Sequence, residues 1–156
     1  MKKNERLPRL YVLSGLLLCL LLVGGEALAQ SGPLQYYAVT PCRLADTRGA
    51  GLPAATHPPT LSAAVPQNWA ITGICGIPPG AQAVTVNFTA TNTLGPGFLL
   101  VYPQGDTPPP VSTLNYLVNQ TIANAAIVPL GTGGGITLVA GVSGTDLIMD
   151  VNGYFQ

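Results

Sequence analysis

The sequence predicts an all-β fold: an antiparallel β-sandwich, jelly-roll or immunoglobulin-like, of about eight or nine short strands with one disulfide. Three observations predict it. Apolar and polar residues alternate along Ala83–Thr91 and again along Asp146–Phe155, the two-residue period of a strand with one buried face. Nineteen glycines and fifteen prolines punctuate the runs, as turn residues do between short strands. Beyond the leader no run carries a convincing helical period. A mean hydropathy of +0.40, together with the alternation, argues against disorder despite the glycine and proline content.

The elements follow in order. Residues 35–39 form a short strand that Pro41 is expected to stop. Residues 49–66 are rich in Gly, Pro, Ala and Thr, which rules out a helix and predicts an extended surface loop. Residues 69–72 lead into residues 73–80, a further strand and turn. In Ala83–Thr91, Val84, Val86, Phe88 and Ala90 face one side, and Thr85, Asn87, Thr89 and Thr91 the other. After the turn at residues 95–97, residues 98–102 are apolar on both faces. Residues 112–118, 124–130 and 136–140 are further strands, with a turn over residues 131–135. The final strand, Asp146–Phe155, places Leu147, Met149, Val151 and Phe155 on its inner face.

Residues 1–29 have the anatomy of a secretory signal peptide: the basic head Lys2, Lys3, Arg6 and Arg9, an apolar run, and Ala27-Leu28-Ala29 before the cleavage point. The apolar run is short of the roughly 20 residues that span a bilayer. Cys19 lies inside that run and not at its end, which argues against a lipid anchor. Residues 30–156 are then a single secreted domain, extracellular or in the cell envelope, with no membrane contact after cleavage. Its charges are Arg43 and Arg48 against Asp46, Asp106, Asp146 and Asp150, a net charge of −2 with no lysine. That balance excludes nucleic acid, which needs a basic stripe, and anionic lipid surfaces for the same reason.

Cys42 and Cys75 are the two cysteines of the exported segment. In an oxidising compartment they allow one intramolecular pairing, so a Cys42–Cys75 disulfide is expected. Two thiols and a distant His57 do not make a metal site. His57 lies beside Pro58 and Pro59, without the rigid support that a Ser-His-Asp triad requires. Asp146 and Asp150 share a strand face about 13 Å apart at roughly 3.3 Å per residue, too far for the carboxylate pair of a glycosidase. Neither catalysis nor a cofactor is expected. Arg43, Asp46 and Arg48 form either an ion cluster that fixes the chain beside the disulfide or an anion clamp. Trp69, Tyr102 and Tyr116 are candidate sugar-stacking rings. Thr85, Asn87, Thr89, Thr91 and Thr93 form a polar ladder, either a wet sheet face or a sugar-facing one.

An ordered set of motifs runs through residues 37–155. It comprises Pro41-Cys42-Arg43-x-x-Asp46-Thr47-Arg48, Gly73-x-Cys75-Gly76-Ile77-Pro78, Ala83-Val84-x-Val86-Asn87, Tyr102-Pro103-x-Gly105, Ser112-x-Leu114-Asn115, Ala123-Asn124-x-Ala126, Pro129-Leu130-Gly131 and Asp150-Val151-x-Gly153-Tyr154-Phe155. In this the chain resembles a module of bacterial secreted and cell-envelope proteins, found alone or joined to other extracellular domains. The resemblance implies an exported all-β domain without an established activity. The sequence ends one residue after Phe155, so no appended domain is expected. A non-enzymatic structural or assembly domain of the cell surface or extracellular matrix, with copies of itself as partners, is the first expectation. A carbohydrate-binding module with a cell-surface glycan as partner is the alternative, and a small extracellular hydrolase the third.

Overall fold

The alternating runs become eight strands that stack face to face: β1 Tyr36–Asp46, β2 Gln67–Ala70, β3 Ala83–Thr91, β4 Gly97–Pro103, β5 Leu114–Tyr116, β6 Ile122–Pro129, β7 Gly135–Ala140 and β8 Asp146–Phe155. The structure, a computed structural model, describes residues 32–49 and 60–156. The expected signal peptide, His57 and most of the loop around it lie outside the described residues. Among these, the one helical turn is the 3-10 segment Thr132–Gly134, and no helix is long and apolar enough to cross a membrane.

The strands form two four-stranded sheets, in the orders β1-β8-β3-β6 and β2-β7-β4-β5. Every ladder is antiparallel. This interleaving of eight strands is the jelly-roll order, and it decides between the two architectures the sequence left open. Alternation along β3 and β8 supplies the centre of one wall of the core. Val86 lies opposite Val151, Phe88 opposite Met149, and Ala90 opposite Leu147, and all six are buried. Leu99, Ile136, Leu138 and Ala140 close the core from the second sheet. Removing the fully buried Phe88 ring would cost about 3–5 kcal/mol, so Phe88→Ala is the single change most damaging to this layer.

Three expectations are corrected. β1 does not stop at Pro41 but continues to Asp46. It is an edge strand, and its ladder to β8 breaks between Ala38 and Cys42, so a residue without an N–H costs no ladder bond there. Residues 73–80 form turns and no strand, closed by the bonds Gly73 N–H to Ile77 O and Ile77 N–H to Ile74 O. Phe155 does not face the core. Thr85 lies opposite Gly153 and Val86 opposite Val151, so Asn152 is an extra, bulged residue that reverses the parity of the residues after it. Tyr154 therefore packs on the core, while Phe155 meets the exposed Tyr36 ring, centroids 5.2 Å apart.

Candidate functional site

The first and last motifs of the chain form one unit. Arg43 of β1 lies opposite Asp150 of β8. Its Nε donates to Asp150 Oδ1 at 2.8 Å and its Nη2 to Asp150 Oδ2 at 3.1 Å. Arg43 Nη1 also donates to Asp46 Oδ2 at 3.1 Å. Arg48 grips Asp46 from the other side, Nε to Oδ1 at 2.8 Å and Nη2 to Oδ2 at 2.6 Å, with its backbone N–H on Oδ1 as well. Asp46 is wholly buried between the two guanidinium groups. The Arg48 fork holds its carboxyl down to about 2, against the cost of burial. The hydrogen bonds from Arg43 to Asp150 and from Arg48 to Asp46 raise the pKa of each arginine.

Thr47 extends the network. Its hydroxyl donates to buried Asp146 at 2.6 Å and accepts the Leu147 N–H at 2.9 Å, while Asn92 Nδ2 donates to the other Asp146 oxygen at 2.7 Å. Cys42 is bonded to Cys75 across a Cα separation of 5.8 Å. Cys75 sits at φ 54°, a conformation that costs a non-glycine residue about 1–3 kcal/mol unless its surroundings impose it. The buried Ile77 anchors the turn that carries it. Both arginine forks point at carboxylates, Arg43 at Asp150 and Arg48 at Asp46. Asp146 accepts from Thr47 and Asn92, and Asp150 accepts from Arg43.

The polar ladder of β3 is shorter than its sequence suggests. Thr91 and Thr93 are buried. Thr91 bonds to Thr121 at 2.6 Å, and Thr93 holds the turn before β6 through Leu117 O and the Gln120 N–H. Thr85, Asn87 and Thr89 remain on the outer face. There Thr85, Asn87, Tyr36, Asn152, Ala125 and Ile127 line a groove of about 240 Å³. Tyr36 is positioned by Gly153, where an added Cβ would lie 2.3 Å from its hydroxyl oxygen. The Tyr36 hydroxyl donates to Asn152 O at 3.3 Å, and the Thr85 hydroxyl donates to Asn152 Oδ1. Sequence reasoning had no signal for this meeting, because the bulge at Asn152 creates it.

The three candidate sugar-stacking rings lie elsewhere. Tyr102 and Tyr116 are buried, and the Tyr116 hydroxyl bonds to Thr145 at 3.0 Å. Trp69 is half-buried against the core with its indole N–H enclosed and unpartnered. None of the three is exposed, whereas Tyr36, Tyr37 and Phe98 are. A second cavity of about 290 Å³, lined by Phe98, Leu100, Pro109, Pro110, Val111 and Asn115, lies against β4 and β5 and is mostly apolar. Among the described residues no three His, Cys, Asp or Glu side chains are grouped to hold a metal ion. No protein-family model and no curated protein matches the chain.

Proposed function

We propose that the chain is a secreted, non-enzymatic structural or assembly unit of the bacterial cell surface or extracellular matrix, and that copies of it associate through the β6 edge. The observation that carries this reading is where the charges sit. Both arginines and three of the aspartates of the described residues are held in the β1-β8 cluster. The outer edge of β6, Ile122–Pro129, therefore carries no charged side chain. An edge strand presents unpaired N–H and C=O groups, and charged residues ordinarily guard it against another strand. β6 stands last in its sheet and bears small residues and an Ile127 that is 63% exposed, which suits antiparallel pairing with a second copy. The disulfide is compatible with export.

Size-exclusion chromatography with light scattering, on chain exported through an oxidising compartment, tests the reading. The expected result is a concentration-dependent dimer or larger species that Ala123→Lys, a charge on the open edge, converts to monomer. Association weaker than a Kd of about 1 mM, about 4 kcal/mol, overturns it.

A further inference from the structure

We propose that the groove on the outer face of the β1-β8-β3-β6 sheet binds an uncharged oligosaccharide, one sugar ring seated against Tyr36 between Asn87 and Asn152. The site is separate from the rings that the sequence suggested and does not depend on self-association.

Its walls carry three kinds of contact that a neutral sugar uses. Tyr36 is 50% exposed; its ring lies over Gly153 and its hydroxyl donates to Asn152 O at 3.3 Å. A ring lying on the sheet presents its open apolar face to a sugar. Ala125 and Ile127 of β6 form the opposite apolar wall. Between them stand two amides. Asn152 Oδ1 is occupied by Thr85, so its Nδ2 is left as a donor turned from that bond. Asn87 Nδ2 makes one long contact with Thr89 Oγ1 at 3.5 Å, and its Oδ1 has no protein partner among the described residues. A donor and an acceptor on neighbouring strands match the paired hydroxyls of a sugar ring.

Charge and size narrow the ligand. No titratable carboxylate or cation lines the groove. The nearest charge along the ladder, Asp150 opposite Asn87, is closed by the Arg43 fork. An anionic or cationic ligand would therefore find no unpaired counter-charge in the lining, whereas hydroxyls would be satisfied. At about 240 Å³ the groove is smaller than the roughly 300–1,000 Å³ pockets that enclose drug-sized ligands. One ring fits, and the rest of the chain lies along the sheet.

An array of immobilised neutral gluco-, manno-, galacto- and N-acetylglucosamine oligosaccharides, followed by calorimetry on the strongest binder, tests the proposal on the exported chain. Binding is expected to change less than about twofold between low and high salt, as screening leaves uncharged contacts untouched. Tyr36→Ala and Asn152→Asp are each expected to weaken it at least about tenfold, and Phe98→Ala, on the other sheet, by less than about twofold. Asn152→Asp is isosteric at an exposed bulge, so it carries the test if Tyr36→Ala fails to fold. An array silent to neutral glycans, binding confined to anionic ones, or affinity untouched by Asn152→Asp overturns the proposal.

Discussion

Arg43 and Asp150 stand directly opposite each other in the β1-β8 ladder and are joined by two parallel N–H···O bonds, at 2.8 and 3.1 Å, across 107 residues of sequence. The pair ties the edge strand to its neighbour beside the ladder break at Pro41, where backbone bonds are missing. It also leaves Arg43 Nη1 free to reach Asp46. A polar network thus holds what the interrupted ladder does not.

Asp46 is the centre of that network. Asp46→Ala removes a buried carboxylate and leaves two guanidinium groups without it, a change expected to destabilise by about 3–5 kcal/mol. Both arginines are partly exposed, so water compensates in part and the lower end of that range is expected. Urea unfolding measures it. A variant within about 0.5 kcal/mol of the parent, the scatter of ordinary surface substitutions, would sink the structural role.

The same carboxyl sets an acid limit. Its folded pKa is about 2, below the ordinary 3.8, chiefly through the Arg48 hydrogen bond. A depressed carboxyl contributes stability in full above its unfolded pKa and loses it as pH falls through the folded one. Stability should therefore fall between about pH 4 and pH 2, by on the order of 2 kcal/mol from this group. Thermal unfolding of the parent and of Asp46→Asn across that window checks the sign. The parent should lose stability more steeply, and parallel curves would contradict the assignment.

The Cys42–Cys75 bond closes a loop over a sequence separation of 33. On chain-entropy grounds its loss should cost about 3–4 kcal/mol. Unfolding of a Cys42→Ser, Cys75→Ser double variant reads the loss directly. A thiol assay on native, non-reduced protein should find both cysteines unreactive.

Two glycines give opposite expectations. A Cβ on Gly131 would lie 2.1 Å from Gln104 O, and backbone cannot swing aside, so Gly131→Ala is expected to cost at least about 2–3 kcal/mol. A Cβ on Gly153 meets only the Tyr36 ring, which is exposed and can rotate away. Gly153→Ala should cost about 1 kcal/mol or less, and Tyr36→Ala in the same chain should recover most of it. Equal losses at both positions would refute the distinction.

Much of the architecture is legible in the amino-acid order. β3 and β8 occupy the spans their alternation predicts, because side-chain period is a local property. The disulfide followed from there being two cysteines to pair. Pro41 misled because its effect depends on whether the strand is an edge, which local sequence does not say. Tyr102 and Tyr116 looked like binding residues for a related reason: a tyrosine in an apolar run reads the same whether its ring is covered or open.

By itself, then, the chain specified the regular strands β3 and β8 with their core faces as far as Val151, the crosslink and the poverty of charge, all properties of neighbours or of counts. Only the folded molecule decided the jelly-roll order, the partners of Arg43 and Arg48, and the bulge that turns Tyr36 and Asn152 toward one groove. Those depend on which residues meet across a ladder when they lie as far apart as positions 36 and 152. Register between distant strands is settled by how the whole core packs, and no short window of sequence contains it.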